Sequence, residues 1–270
     1  MKQDVLLCGV GGQGILSLAY VIDYSAMEAG YALKQPEVHG MSQRGGAVQA
    51  HIRVSDESIA SELIPLGQAD VLLSLEPLES LRYLQYLSSE TGSVITDITP
   101  FINIPDYPDP SSVYGHLLRL PSVLLVNGAY LARKAGSPKA QNMVVLGAAS
   151  SRLPYPVTML ETHVAELFAR KSERLVHVNI NAFRTGCALA QFHATLRQAG
   201  IADHLISRVL PWLDFDPWPV PDRVAQAWIG FCGEKTACAA TEALWQSRTI
   251  LPLEEAVPQK VLQGTAVGKG

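Results

Sequence analysis

The chain has 270 residues, 48% hydrophobic and 17% charged, a composition that predicts a large buried core and excludes a disordered protein. A formal net charge of −4, with lysines and arginines scattered along the chain, excludes the basic footprint of a nucleic-acid-binding protein. No apolar run has membrane-spanning length and the first residues lack a secretory signal, so we expect a cytoplasmic protein with no membrane partner.

Cysteine spacing bears on the chemistry of the chain. Its four cysteines, Cys8, Cys187, Cys232 and Cys238, are far apart and form no C-x-x-C pair. Zinc knuckles and iron–sulfur clusters need closely spaced thiolates. We therefore predict no metal site here, and any iron–sulfur electron carrier is expected on another chain.

The first 150 residues alternate between strand-like and helix-like segments. Apolar or alternating runs predict strands over residues 5–10, 31–34, 47–55, 71–75, 93–99 and 123–126. Helical periodicity predicts helices over 14–29, 77–87, 129–135 and 138–151, whereas 35–46 does not fit regular structure. This alternation predicts an α/β fold with three α/β/α layers.

Residues 47–55 predict the sense of one strand. Apolar residues at even positions alternate with Gln49, His51 and Arg53, which is typical of a half-exposed strand. Such strands are more often antiparallel than central and parallel. We therefore expect a mixed, mostly parallel sheet.

The second half of the chain is predicted to be helical. Helices are expected over 157–168, 179–198 and 224–247, the last interrupted at Gly230 and Gly233, with a rigid Trp/Pro-rich linker over 210–221. Residues 263–270 are predicted to be a frayed tail. The domain prediction is an α/β domain over 1–190 and a C-terminal helical extension over 191–270.

The first motif is Gly9-Val-Gly-Gly-Gln-Gly14, a G-x-G-x-x-G between a strand and a helix. Glycines permit a tight turn there, and the helix start offers free N–H groups to an anion. One interpretation is a self-contained NAD- or FAD-binding oxidoreductase, although the next strand lacks the acid that binds ribose. A turn without a ligand, and a phosphate or coenzyme A site, are the alternatives.

The second motif is Glu37-Val-His-Gly-Met-Ser-Gln-Arg-Gly-Gly46, which has too few apolar residues to belong to a core. Its glycines indicate unusual backbone angles or close contact with another surface. Arg44 is suited to a bidentate contact with a carboxylate or phosphate. The simpler interpretation is an ion pair between Glu37 and Arg44 within the loop.

Together, the two motifs resemble the gamma subunit or domain of 2-oxoacid:ferredoxin oxidoreductases, most closely the indolepyruvate branch. The segments Asn142-Met-Val-Val-Leu-Gly-Ala148 and Asn179-Ile-Asn-Ala-Phe-Arg-Thr-Gly186 also resemble helices of that family. The resemblance covers roughly the first 190 residues in order. Residues beyond about 198 depart from it.

The resemblance implies a subunit that is inactive alone. In this family a 2-oxoacid is decarboxylated on thiamine diphosphate, electrons pass through iron–sulfur clusters to ferredoxin, and the acyl group passes to coenzyme A. Thiamine diphosphate and the clusters belong to a partner, alpha-type subunit, so this chain would line the partner's active site and contact coenzyme A. A non-catalytic assembly module of the same fold is the remaining alternative.

The predicted site is a cofactor-binding surface at the interface with that partner, without a catalytic residue or a metal ligand of its own. It comprises both glycine-bearing motifs, which should lie near the carboxyl ends of the strands. Its residues are Gly9, Gly11, Gly12, Gln13, Gly14, Glu37, Met41, Ser42, Gln43, Arg44, Gly45 and Gly46.

Other candidate residues have simpler explanations. His39 and His51 are expected to be solvated or hydrogen-bonded strand residues, and Asp97 to stabilise a turn. Ser42 has no activating arrangement visible in the sequence. Cys8 lies in an apolar strand and is predicted to be inert core.

Overall fold

The computed structural model describes residues 1–39, 45–102, 104–217, 219–234 and 236–253. Trp218 and the predicted tail over 263–270 lie outside these residues. None of the described helices is both long and apolar enough to cross a membrane.

The described residues form a seven-stranded mixed sheet. Its strands are β1 (Lys2–Val10), β2 (Ala32–Lys34), β3 (Glu37–His39), β4 (Ala47–Ser55), β5 (Val71–Ser74), β6 (Ser93–Asp97) and β7 (Val123–Val126). The order is β2-β4-β1-β5-β6-β7, and β3 pairs with β4 beside β2. Strands β1, β5, β6 and β7 are mutually parallel, and β4 is antiparallel to β1. The prediction of a mixed, mostly parallel sheet is confirmed.

Strand β4 is antiparallel, as predicted, but it is not half-exposed. His51 and Arg53, which the alternation places towards solvent, are 1% and 9% exposed. Both side chains anchor the loop that follows β4. Arg53 Nη1 donates hydrogen bonds to the carbonyls of Ser61 and Leu63, and His51 Nδ1 accepts one from the Ile64 N–H. A loop folding back over the strand therefore covers the face that the pattern predicted to be exposed.

Helices cover both faces of the sheet. They are α1 (Ile15–Glu28), α2 (Pro77–Arg82), α3 (Pro110–Leu117), α4 (Gly128–Lys134), α5 (Gln141–Ala149), α6 (Val157–Ala169), α7 (Glu173–Gln198), α8 (Asp203–Val209), α9 (Asp222–Cys232) and α10 (Ala237–Ser247). Helix α2 contacts β5, β6 and α3, whereas α5 contacts β5, β6 and α7. This is the predicted three-layer α/β/α arrangement.

The C-terminal extension packs against the last strand of the sheet. Helix α8 and a 3₁₀ turn over Leu210–Trp212 contact β7, and Ser207 Oγ donates a hydrogen bond of 2.6 Å to the Val123 carbonyl. A short pair, β8 (Leu213–Asp214) and β9 (Leu251–Pro252), follows. The prediction of a linker over 210–221 is therefore wrong for its first half, because Trp212 and Phe215 are buried core residues.

Several element boundaries differ from the predictions. Strand β3 lies within 35–46, where no regular structure was expected, and α3 and α8 were not predicted. Helix α7 begins six residues earlier than predicted and continues past residue 190. Gly230 lies inside α9, so only the interruption near Gly233 is found. The domain division at residue 190 stays a prediction.

Candidate functional site

The first glycine motif forms the turn between β1 and α1. Gly12 and Gly14 have φ angles of 102° and 92°, in the left-handed region that residues with a Cβ rarely adopt. Gly14 is the N-cap residue of α1, so the turn delivers the chain directly into the helix start. Glycine is therefore required at these two positions by the backbone geometry.

Gln13 closes this turn from the inside. Its Oε1 accepts a hydrogen bond of 2.7 Å from the Val10 N–H, and its Nε2 donates one of 2.9 Å to the Leu75 carbonyl. The side chain thus joins the carboxyl ends of β1 and β5. Because both ends of the amide are engaged by the backbone, Gln13 holds the loop in shape. Its contact with a cofactor stays a prediction.

The two glycine motifs touch each other. The Gly11 N–H donates a hydrogen bond of 2.8 Å to the Gly46 carbonyl, and the Gly45 N–H donates a longer one of 3.4 Å to the Gly11 carbonyl. Residues 40–44 lie outside the described residues. The predicted roles of Met41, Ser42, Gln43 and Arg44, including an ion pair with Glu37, therefore stay predictions.

Glu37 begins β3, and its negative charge acts on the pKa of Asp23 in α1. The pKa of Asp23 is raised to about 7, first by burial and then by the negative charge of Glu37. Asp23 Oδ1 is buried and has no hydrogen-bond partner among the described residues. A weakly acidic group therefore lies near the strand that begins the second motif.

A cleft of about 580 Å³ opens beside the first motif. Its walls are the loop at Gly12–Gly14, residues 137–142 before and at the start of α5, Phe101, and residues from α6 and α7. Asn142 joins two of these walls, because its Nδ2 donates a hydrogen bond of 3.2 Å to the Gly14 carbonyl. A Cβ at Gly14 would come within 2.5 Å of that Nδ2, so any other residue here would displace the Asn142 amide.

The cleft carries positive charge. Lys139 and Lys171 line it, and the Lys171 ammonium lies 5.2 Å from the centre of the Phe168 ring. The helix starts of α1 and α5 meet at the same cleft, and the N-terminal end of a helix favours negative charge. These features suit an anionic group better than a neutral one.

Two buried carboxylates, Glu76 and Asp97, accept hydrogen bonds from the backbone near Phe101, a residue that lines the cleft. Glu76 caps α2 through the Glu79 N–H at 2.8 Å, accepts a hydrogen bond from the Phe101 N–H at 3.3 Å, and accepts a short one from the Tyr107 hydroxyl. Asp97 is fully buried at the end of β6, where its Oδ1 accepts the Thr99 N–H at 2.6 Å. The prediction that Asp97 stabilises a turn is confirmed.

The remaining candidates behave as predicted where they are described. Cys8 is fully buried, and burial raises the pKa of its thiol far above the usual range, which keeps it un-ionised. His51 is hydrogen-bonded, and its burial lowers the pKa of the imidazole. Among the described residues, no three His, Cys, Asp or Glu side chains come together as a metal site would require.

The cleft itself was not predicted, because its walls come from segments more than one hundred residues apart. One signal was present in the sequence. Asn142 and Asn179 each belong to a segment that resembles the family, and both asparagines line the cleft. Lys139 and Lys171 carried no such signal.

The strand order bears on the dinucleotide interpretation. In a dinucleotide-binding fold, the strand after the first helix pairs directly with the first strand. Here β2 lies at the sheet edge beside β4, and the neighbours of β1 are the antiparallel β4 and the parallel β5. The strand–helix–strand unit that opens a dinucleotide-binding fold, with its two strands paired, is therefore not formed by β1, α1 and β2.

Comparison with known proteins gives the family. The sequence profile of pyruvate ferredoxin/flavodoxin oxidoreductase matches residues 4–189. The chain belongs to this family. It is 36% identical over 194 residues to the indolepyruvate oxidoreductase subunit IorB of Archaeoglobus fulgidus, covering 69% of this chain and 94% of the relative. The corresponding subunit of Methanothermobacter thermautotrophicus is 35% identical over 196 residues, covering 70% and 98%.

The fold is also that of the pyruvate ferredoxin/flavodoxin oxidoreductase family. A structure of 2-oxoglutarate:ferredoxin oxidoreductase from Magnetococcus marinus aligns with a TM-score of 0.56 at 22% identity, covering 70% of this chain and 31% of that chain. The prediction of an oxidoreductase subunit of this family is confirmed, and a self-contained dinucleotide enzyme is not favoured. Both relatives are named as subunits of an oxidoreductase.

Proposed function

We propose that this chain is the smaller subunit of an oxidoreductase that oxidises indolepyruvate or a related aryl 2-oxoacid. Two relatives of similar identity, matched over 94% and 98% of their length, carry the indolepyruvate oxidoreductase name, which supports this substrate class. As the resemblance to the family implies, thiamine diphosphate and iron–sulfur clusters would belong to the partner subunit. The products would be acyl-coenzyme A, carbon dioxide and reduced ferredoxin, formed in the cytoplasm.

One observation carries the proposed role of this chain. The 2.8 Å hydrogen bond between Gly11 and Gly46 joins both glycine motifs into a single surface at the carboxyl ends of the strands. In open α/β sheets, ligands bind outside this edge. We propose that the joined surface covers and shapes the active site of the partner.

Coenzyme A is the proposed ligand of the cleft beside that surface. The structural relative from M. marinus was solved with 2-oxoglutarate, coenzyme A and succinyl-CoA bound. Coenzyme A carries phosphate groups, and Lys139, Lys171 and two helix starts give the cleft the opposite charge. Arg44, on the second motif, is the proposed further contact, either with coenzyme A or with an acid of the partner.

Purifying the chain alone and then mixing it with its partner tests the proposed function. We expect a colourless protein that shows no oxidation of indolepyruvate until a thiamine-diphosphate subunit is added. A yellow protein, or micromolar affinity for NAD, would instead support a self-contained enzyme. Failure of the matching thiamine-diphosphate subunit to gain activity from this chain would support a non-catalytic assembly module.

Arg44→Ala tests the second motif within the reconstituted complex. We expect a higher KM for coenzyme A or weaker affinity between the subunits, because the proposed anionic partner loses the guanidinium that binds it. Arg119→Ala is the control, since Arg119 is exposed on the segment after α3. Unchanged turnover together with unchanged subunit affinity would reject the role of Arg44.

A further inference from the structure

Tyr114 connects the C-terminal extension to the segment that carries Phe101. It lies in α3, is buried, and its hydroxyl donates a hydrogen bond of 2.6 Å to the Ile98 carbonyl. Ile98 directly follows β6, and Phe101, three residues further on, lines the cleft. Because a buried hydroxyl needs an acceptor, this bond fixes the phenol and the carbonyl relative to each other. Tyr114 therefore holds the point where the chain leaves the sheet and enters the cleft wall.

The ring of Tyr114 is held by Trp245 of α10. The two rings meet edge to face, with their centres 5.6 Å apart and their planes at 90°. Trp245 is itself buried and packs on Trp212, with 5.6 Å between the ring centres. Aromatic pairs prefer particular orientations, whereas ordinary apolar contacts are non-directional. The indole of Trp245 thus sets the direction in which the Tyr114 hydroxyl points.

A second contact joins the same two helices. The Arg248 guanidinium donates a hydrogen bond of 3.3 Å to Ser111 Oγ, in the first turn of α3. Arg248 follows α10 with a φ of 53°, and among the residues that the structure describes it alone has a positive φ without being a glycine. Residues with a Cβ rarely adopt this conformation. The C-terminal end of α10 therefore contacts α3 at two places, Ser111 and Tyr114.

The segment between Ile98 and Phe101 is fixed at both ends. Tyr114 holds the Ile98 carbonyl, and the Phe101 N–H donates a hydrogen bond of 3.3 Å to the buried Glu76. The side chain of Phe101 is nevertheless 41% exposed and lines the cleft. A large apolar side chain that is exposed while its backbone is held on both sides is suited to contact a ligand.

We propose that Tyr114 is a positioning residue through which the C-terminal extension sets the place of Phe101 at the cleft. Trp245 orients the phenol, and the phenol fixes the Ile98 carbonyl. Trp245 lies outside residues 4–189, which the family profile matches, so the contact involves a part of the chain beyond the matched region. The inference rests on the proposed function for the identity of the ligand, coenzyme A, whereas its geometric part concerns this chain alone.

Amide hydrogen exchange of the isolated full chain tests the hydroxyl. Tyr114→Phe removes it and keeps the ring that Trp245 contacts, so exchange of residues 98–101 should rise about fivefold or more. Ser207→Ala is the matched control, because it also deletes a buried hydroxyl that donates to a carbonyl at 2.6 Å, but at the other end of β7. The control should leave residues 98–101 unchanged. Equal rises in the two variants, or no rise in Tyr114→Phe, would overturn the proposal.

A double-mutant cycle tests the link to the extension. Trp245→Leu removes the ring that orients the phenol, so in this background Tyr114→Phe should raise exchange of residues 98–101 by less than about twofold. Trp228→Leu is the control, since Trp228 is another buried indole of the extension and packs on Phe192 and Phe231 instead. In the control background the full rise should remain. Rises of equal size in both backgrounds would show that the extension does not act through Tyr114.

Steady-state kinetics of the reconstituted complex test the functional part. Tyr114→Phe and Trp245→Leu should each raise the KM for coenzyme A about threefold or more and leave kcat within about twofold, because the cleft wall binds the ligand whereas the chemistry belongs to the partner. Ser207→Ala should leave this KM unchanged. A merely structural role of Tyr114 would lower kcat through loss of folded subunit without changing the KM, and that result would overturn the proposal.

Two provisions keep the outcomes separate. If a leucine variant does not fold, Trp245→Phe and Trp228→Phe replace the pair, and Trp245→Phe should still reduce the rise caused by Tyr114→Phe. An unreduced rise would count against the proposal. A wild-type complex that ignores coenzyme A would reject the proposed function, whereas the exchange experiments would still decide the role of Tyr114.

Discussion

Gly147 of α5 and Gly186 of α7 lie back to back, so that a Cβ at either position would come within 2.9 Å of the Cα of the other. The same Cβ atoms would collide with the backbone carbonyls of Phe183 and Val144. Both glycines belong to the two segments that resemble helices of the family. The resemblance in that part of the chain thus reflects a close helix crossing.

Gly147→Ala should destabilise the protein by about 2 kcal/mol or more, because the added methyl group meets backbone that cannot move aside. The free energy of unfolding in urea is the measurement. Gly115→Ala is the matched control, since Gly115 also lies in a helix but has open space around it. The control should be neutral or stabilising by up to about 1 kcal/mol. Equal effects of the two substitutions would contradict the close crossing.

Gln13→Ala should lower the free energy of unfolding by about 1–3 kcal/mol, because the Val10 N–H and the Leu75 carbonyl both lose their partner. It should also raise the KM for coenzyme A in the complex, since the glycine loop would lose its shape. Gln85→Ala, at an exposed glutamine, is the control and should change neither quantity. A higher KM without any loss of stability would indicate that Gln13 contacts the ligand directly.

Asp23 should make stability depend on pH. Its folded pKa of about 7 lies above the ordinary value of 3.8, so the folded state binds more protons than the unfolded state between these values. Stability contributed by the protonated carboxyl is therefore complete below pH 4 and is lost as the pH rises to about 7. The difference in unfolding free energy between Asp23→Asn and wild type should grow over this interval and then level off. Asp106→Asn, at an exposed acid, is the control, and a flat difference for Asp23→Asn would contradict the assignment.

Ser207→Ala should weaken the attachment of the extension to the sheet. The substitution leaves the buried Val123 carbonyl without its hydrogen bond, at a cost of about 1–3 kcal/mol in the free energy of unfolding. Hydrogen exchange should increase in peptides from β7 and α8 more than in peptides from β1. Ser58→Ala, on an exposed loop, serves for comparison. Increased exchange spread evenly over the sheet would argue against a local role.

Local sequence patterns predicted most elements of the sheet. Buried strands such as β5 and β7 are short apolar runs bounded by turn residues, and β7 agrees with its predicted limits. The alternation over 47–55 correctly predicted an antiparallel strand. It failed for the exposure of His51 and Arg53, because periodicity within a strand contains no information about a loop that folds over it.

The features that local patterns did not predict depend on contacts between residues far apart in the sequence. Strand β3 has three residues and exists through its pairing with β4, so its own sequence carries too little signal. The cleft depends on Gly14 and Asn142 meeting across 128 positions. The contact between Gly11 and Gly46 could be anticipated only in part, from the expectation that both motifs lie at the carboxyl ends of strands.

Helix α8 and the turn over Leu210–Trp212 cover the edge of the sheet at β7, which limits how another chain can pair with this sheet. A neighbouring chain that tried to lengthen the sheet at β7 would first have to pull Ser207 and the buried indole of Trp212 out of the protein's own core. Growth by strand addition is thus closed at that end. The family profile matches residues 4–189, so Ser207 and Trp212 lie outside the matched region.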